Sequence, residues 1–308
     1  MTTASAPGKA ILFGEHAVVF GRPALAVPIS DLRARASVED SDQNEIRVVA
    51  PQTDEEFRLS EAGPEHPLRR AIDLTLEALE VDPQGLRISI DSEIPIAAGL
   101  GSGAAVTVAL IRALAAHYGH ELSRERQSSL AFDVEELHHG TPSGIDNTVI
   151  AFGRPVSFIR GAPPNLLEIS ETLQLVIGDT GRTSPTADAV AGVRMRRGEN
   201  RSEYEELFDE IADITVRAKT ALRQGKLSEL GSLMNQNHAC LKKLEVSTPE
   251  LDELVDSARA AGALGAKLSG AGLGGVMLAL VAEDQTATVS QALRDAGASA
   301  TYPTEVRT

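Results

Sequence analysis

Closely spaced glycines in Ile94-Pro95-Ile96-Ala97-Ala98-Gly99-Leu100-Gly101-Ser102-Gly103-Ala104-Ala105 separate a strand-like apolar stretch from a helix-like one. Glycines let several backbone N–H groups converge on one anion, and the start of the following helix adds its positive end, so the loop Ala97–Ala104 has the makeup of a phosphate cradle. A tight turn packing a strand on a helix would use the same residues. The Walker pattern is excluded because Gly103 is followed by Ala104, and the spacing Gly99, Gly101, Gly103 does not fit the dinucleotide fingerprint.

Two further segments carry chemistry. Ala6-Pro7-Gly8-Lys9-Ala10-Ile11-Leu12-Phe13-Gly14-Glu15-His16-Ala17-Val18-Val19 puts a lysine, a carboxylate and an imidazole within eight residues of strand and turn. Glu135-Glu136-Leu137-His138-His139-Gly140-Thr141-Pro142-Ser143-Gly144-Ile145-Asp146-Asn147 ends a helix and enters a turn that contains an Asp. Asp146 alone could be an Asx-turn residue, Lys9 a solvated strand end and Glu135 a solvated helix face. His138 and His139 point different ways on a helix and have no third His or Cys at ligand spacing, which speaks against a metal site there. A second glycine loop, Ser269 to Gly275, reads as a helix-to-strand connection that can also close over phosphate or substrate from the C-terminal half. His238 and Cys240 fall in a core-helix pattern and read as packing residues. Glu205-Glu206 and Asp252-Glu253 read as solvated helix faces.

The elements that must position these residues follow from periodicity. Lys9–Phe13 and Ala24–Ile29 read as paired strands around the turn signal Gly21-Arg22-Pro23. Leu32–Val38 and Glu45–Val49 alternate like half-buried strands, and Leu86, Ile88, Ile90 and Ile94 resume that period. His66–Leu79 has one apolar helical face, a helix runs from the first glycine loop to about His117, and Tyr204–Leu222 with Leu227–Leu244 predicts an antiparallel helix pair. Pro249–Ala261 predicts a helix capped by Thr248, and Val276–Val281 a strand. Strands and helices are mixed in both halves, giving an α+β chain of two domains, 1–165 and 166–308, with a boundary near the proline-containing stretch Arg160–Asn165.

Composition narrows the classes. The 308 residues carry 29 Lys plus Arg against 44 Asp plus Glu, a net charge of −15, with 42% apolar and 24% charged residues. That balance is globular, and it argues against nucleic acid as a partner, which needs a basic face. No run approaches a membrane span, and the first residues are too polar for a signal sequence. A single cysteine, Cys240, suits a reducing compartment, most simply the cytoplasm.

Taken together, the first glycine loop, the Lys9–Val19 segment, the Glu135–Asn147 segment and the Lys267–Gly275 loop resemble the signature motifs of the GHMP kinases. Gly14-Glu15-His16-Ala17-Val18-Val19 with Gly21 and Pro23, and His139 to Asn147, are similar to the mevalonate kinase family within them. Asp179-Thr180-Gly181 with Thr186, and Asn235-Gln236-Asn237-His238, extend the resemblance over nearly the whole chain. The resemblance implies a two-domain GHMP-kinase fold and transfer of the ATP γ-phosphoryl group to the 5-hydroxyl of mevalonate. It implies ATP and Mg²⁺ as cofactors, with Ala97, Ala98, Gly99, Leu100, Gly101, Ser102, Gly103 and Ala104 holding the nucleotide. Asp146 matches the catalytic Asp, Lys9 the motif lysine that favours the developing alkoxide and interacts with Asp146, and Glu135 the metal-ligand Glu. Glu15, His16 and Thr186 match substrate-pocket positions, joined there by Lys9 and Asp146. The family commonly has two serines where this chain reads Ser102-Gly103; Gly103 has no hydroxyl, so Ser102, a water or a shifted loop takes its place beside the metal. A related kinase of phosphomevalonate or another small alcohol, and a silent binding protein of the same fold, are the alternatives. The helix-rich C-terminal half allows a monomer or a homodimer.

Overall fold

The computed structural model describes residues 1–82, 85–139, 143–184 and 186–307, without the side chains of residues 137–139. In chain order the first half forms β1 (Thr2–Phe13), β2 (Ala24–Asp40), β3 (Ile46–Ala50), β4 (Glu55–Arg58), α1 (Pro67–Leu79), β5 (Leu86–Ser92), α2 (Ser102–His117), α3 (Arg124–His139) and α4 (Ile145–Phe152). The second half continues with β6 (Val156–Phe158), β7 (Asn165–Leu166), β8 (Leu173–Asp179), α5 (Thr186–Glu199), α6 (Arg201–Arg223), α7 (Leu227–Lys243) and α8 (Pro249–Ala260). It ends with β9 (Gly265–Ser269), β10 (Val276–Val281), α9 (Thr286–Asp295) and β11 (Ala300–Val306).

These elements form two compact units. One comprises Met1–Gly8, Leu32–Pro95 and Gly101–Gly153; the other comprises Lys9–Asp31, Ile96–Leu100 and the chain from Arg154 onward. The chain therefore passes from unit to unit inside β1, inside β2 and inside the first glycine loop. The sequence suggests a single division at 165, whereas the units are discontinuous because the long strands β1 and β2 serve both, and the last crossing falls at Gly153, between α4 and β6.

In the first unit β4, β3, β5 and the C-terminal half of β2 lie side by side. β3 pairs parallel with β5, and β5 antiparallel with β2 from Ala34↔Ser92 to Asp40↔Leu86. The alternation of β3 and β5 turns one face inward. Helix α2 is apolar almost all round and buries Ala104, Ala105, Val108, Leu110 and Ile111 among α1, α3 and α4, as a central helix should.

In the second unit β11-β8-β10-β9 form an antiparallel sheet. All six residues of β10 are buried, which explains its unbroken apolar run. Helices α7, α8 and α9 pack on this sheet, and α6 packs on α7. Thr248 caps α8 as its sequence predicts, its hydroxyl accepting from Leu251 N at 3.3 Å. β9 and β10 are adjacent antiparallel strands, so Lys267–Ser269 is strand, and the second glycine loop is the turn of a hairpin instead of a helix-to-strand link.

Among the described residues, no helix is long and apolar enough to cross a membrane.

Candidate active site

The first unit carries the end of the glycine loop with the two carboxylates. Gly101, at φ 74°, precedes α2, and the first bond of that end, Ala105 N to Gly101 O, measures 2.9 Å. The N–H groups of Ser102, Gly103 and Ala104 therefore lie in the turn where a helix has no internal acceptors and where an anion is favoured. Gly103 is exposed, and a methyl group added to it would meet nothing within 4 Å. That open space is room for a ligand.

Glu135 stands half-buried on α3, and Asp146 stands half-buried in the first turn of α4. A carboxylate there is stabilised by the helix end. The helix itself is pinned at both ends. Near its start, Asn147 Nδ2 donates to Ser128 O at 3.0 Å and to Ser128 Oγ at 2.8 Å, and the Thr148 hydroxyl donates to Gly144 O at 2.7 Å. At its far end, Arg112 donates to Ala151 O at 2.7 Å while its other nitrogens reach Ser5 O and Gln127 Oε1, both at 2.8 Å. Burial, with nearby Arg124 and Arg33, brings the Arg112 guanidinium down to about 10, which leaves it charged at neutral pH. Sequence reasoning missed Arg112; its signal is a lone arginine inside the apolar run of α2. Gly140, Thr141 and Pro142 of the Asp146 segment, and the side chains of His138 and His139, lie outside the described residues.

The second unit carries the start of the glycine loop with Lys9, Glu15, His16 and Thr186. Lys9 is 4% exposed on β1, and its N–H donates to Leu100 O at 2.9 Å. Ala97–Leu100 rests on the second glycine loop and its neighbours: Ser184 N donates to Ala97 O at 2.9 Å, and the Ser184 hydroxyl donates to Gly272 O at 2.8 Å. A side chain at Gly275 would strike Ala98 O at 2.8 Å. The two glycine loops thus approach backbone to backbone. Thr186 is exposed at the first residue of α5.

His16 is held in an unusual state. Its backbone takes φ 60° and ψ −49°, a costly conformation for a residue other than glycine, and one that persists only where the surroundings impose it. Its ring nitrogen Nε2 lies 2.9 Å from Ala271 O. A carbonyl only accepts, so Nε2 carries the proton and Nδ1 presents a bare lone pair. Nδ1 is buried and finds no hydrogen-bond partner among the described residues. Burial pushes the ring down to about 4, against which the bond to Ala271 works. His16 is therefore a neutral acceptor suited to a hydroxyl donor.

Glu15 is also buried, 1% exposed, and forms an ion pair with Lys267. The expected packing roles of His238 and Cys240 agree with their burial. Burial and nearby Glu210 lift the Cys240 thiol to about 12, making it inert. His238 Nδ1 accepts from Leu268 N at 3.4 Å, and burial pushes its ring down to about 4. Two of the residues read as solvated are instead engaged. Glu205 pairs with Arg22 at 2.6 Å and with Arg197, while Asp252 pairs with Lys242 at 2.7 Å and accepts from Ser247 at 2.6 Å. Arg22 lies 183 residues from Glu205, while Arg197, Lys242 and Ser247 come from the neighbouring helix or turn, at spacings that fall outside the i,i+3 and i,i+4 pattern of a single helix.

The two neutral histidines make stability depend on pH. Their folded values lie near 4, below the unfolded value, so the unfolded chain binds more protons between about pH 4 and 6.5 and stability falls as pH drops through that window. At pH 5.5 each contributes a loss of roughly 1 kcal/mol relative to pH 7.5. Thermal denaturation of His238→Gln at both pH values checks this: the variant is expected to lose less on acidification than the wild type, and an equal loss would show that His238 is not held neutral.

Comparison with known proteins bears on both halves. Residues 66–154 match the family "GHMP kinases N terminal domain" and residues 218–299 match "GHMP kinases C terminal". The mevalonate kinase of Pyrococcus furiosus is 40% identical over 314 residues, covering 96% of this chain and 93% of that protein. The mevalonate kinase of Saccharolobus solfataricus is 31% identical, covering 91% and 90%. Among solved structures, L. major mevalonate kinase in complex with R-mevalonate has a TM-score of 0.87 at 31% identity, over 100% of this chain and 96% of that one. A phosphomevalonate kinase from Streptococcus pneumoniae, at 21% identity and TM-score 0.83, shares the fold. Likeness of this extent, to relatives matched over almost their whole length, shows that the chain belongs to the mevalonate kinase family of the GHMP kinases.

Proposed function

We propose that the protein transfers the γ-phosphoryl group of ATP to the 5-hydroxyl of mevalonate. The observation that carries the acceptor is the likeness, over the full chain, to a kinase solved with R-mevalonate. In this reading the N–H groups of Ala97–Ala104 receive the phosphates, with the positive end of α2 behind them. Asp146 accepts the proton of the attacking hydroxyl. A carboxylate is a weak base, so much of its effect comes from being held in place, which the bonds at both ends of α4 provide. The Lys9 ammonium offsets negative charge that develops on the reacting oxygens. His16 Nδ1 accepts from an acceptor hydroxyl, Thr186 adds a hydroxyl of its own, and Glu15 supports the turn that carries His16.

Glu135 and Ser102 would hold Mg²⁺. Both are hard oxygen donors, both are half-buried and not sealed, and both belong to the first unit. One or two protein oxygens are what Mg²⁺ takes while keeping water and phosphate ligands. The chemistry a bound Mg²⁺ supplies is neutralisation of charge on the β- and γ-phosphates. Glu135→Gln is expected to raise the Mg²⁺ concentration for half-maximal activity by about tenfold. An unchanged Mg²⁺ dependence would move the ligand elsewhere.

The lone thiol, buried at Cys240, suits work in the cytoplasm. A coupled ADP-release assay with mevalonate, phosphomevalonate, homoserine and galactose tests the assignment. Turnover confined to mevalonate is expected. Turnover of another acceptor would keep the phosphate site and replace the substrate, and silence on all four would favour a binding protein.

A further inference from the structure

Lysine is almost never fully buried unless paired, and Lys267 on β9 is 0% exposed. Its ammonium donates to the Glu15 carboxylate, to Leu268 O at 2.7 Å and to Ile11 O at 3.4 Å, so all three protons have acceptors. The second Glu15 oxygen accepts from Asn237 Nδ2 on α7 at 3.0 Å, and Asn237 is 0% exposed as well.

This pair is one of three attachments to the same short segment. Two residues along β9, the Ser269 hydroxyl accepts from Ile11 N at 3.2 Å and donates to Ile11 O at 3.0 Å. Beyond the end of β9, Ala271 O holds the His16 ring. Strand β1 takes its ladder from β2, and β9 takes its ladder from β10. The stretch from Lys9 to His16 is therefore held at β9 and the turn beyond it by the Ser269 and Lys267 side chains on the Ile11 backbone, by the Glu15 carboxylate on Lys267 and by the His16 ring on Ala271 O. An apolar pair of similar volume would pack as stably as a buried ion pair, while a lone buried charge is heavily penalised. What the pair adds is a defined position for the backbone between Lys9 and the strained His16.

We propose that Lys267 is a positioning residue for phosphoryl transfer: through Glu15 it fixes the segment from Lys9 to His16, and so sets where the Lys9 ammonium and the His16 ring meet the substrates. The proposal rests on the reaction assigned above. Wild-type turnover of mevalonate separates the two, since a wrong reaction silences the wild type and removes both, while a wrong role for Lys267 leaves the wild type active.

The test is a double-mutant cycle of Glu15→Gln, Lys267→Met and E15Q/K267M, read as kcat, the two KM values and melting temperature. Lys267→Met is expected to lower kcat about thirtyfold or more with the KM for ATP within about twofold, and to change kcat by less than about threefold in the Glu15→Gln background. A purely structural role predicts lower melting temperatures with wild-type kcat in the folded protein. That result, or an equal loss in both backgrounds, would overturn the proposal. Should Lys267→Met fail to fold, Asn237→Ala decides: it leaves the ion pair and frees one Glu15 oxygen, so a kcat loss of about three- to tenfold supports the proposal and a wild-type kcat overturns it.

Discussion

Replacing Asp146 with Asn lowers kcat by about two to four orders of magnitude and leaves ATP affinity within about twofold, the range expected when a general base is removed from a site that otherwise stays assembled. The substitution preserves shape, and three contacts that set α4 are made by other residues and remain: Asn147 to Ser128, Thr148 to Gly144 and Arg112 to Ala151. Loss of a carboxylate from the first turn of a helix costs stability only about 0.3–1 kcal/mol. Turnover and fold are thus expected to separate. Steady-state kinetics beside calorimetric titration of ATP checks this, and near-normal turnover would remove Asp146 from the mechanism.

Gly272→Ala is expected to destabilise the protein by about 2–4 kcal/mol and to lower the melting temperature by roughly 5–12 °C. Gly272 has φ +76°, and a side chain there would lie 2.0 Å from Val246 O. That carbonyl cannot simply retreat. It accepts from Leu273 N at 2.8 Å, and Val246 is fully buried. The adjoining Ala271 carbonyl is the one that orients His16, so the protein that still folds is expected to show a raised KM for the acceptor. Gly198→Ala is the control: Gly198 lies in α5 with open space around it, and no loss of melting temperature is expected there. Equal behaviour of the two variants in thermal denaturation would contradict the close-approach argument.

The sequence made the fold legible wherever one element could be recognised by itself. Helices α1, α6, α7 and α8 each bury a stripe at helical spacing, and α2 announces itself by following glycines with an apolar run. Helix α5 was missed because among its described residues it buries only Ala189 and Val193, too little for a periodic signal. Strand β11 was missed because it is an edge strand with Pro303 inside it, a residue that demotes a strand reading and is tolerated only at an edge or a bulge. The break expected between Ile29 and Leu32 does not exist, since β2 runs through it.

In the candidate site, the residue types were legible and their partners were not. Lys9, Glu15, His16, Glu135 and Asp146 stand out by motif. The pairing of Glu15 with Lys267 joins positions 252 residues apart, and the tautomer of His16 is set by a carbonyl 255 residues away. Periodicity does not report such contacts, because they are set by which strands the topology brings together.

The central claim is transfer of phosphate to one hydroxyl of one acceptor, and the most direct measurement is NMR of the product after turnover of mevalonate with Mg²⁺-ATP. The account predicts a phosphate ester coupled to the protons of the primary C5 carbon, formed in step with ADP. Phosphate on the tertiary C3 oxygen, or ADP released with mevalonate unchanged, would contradict it.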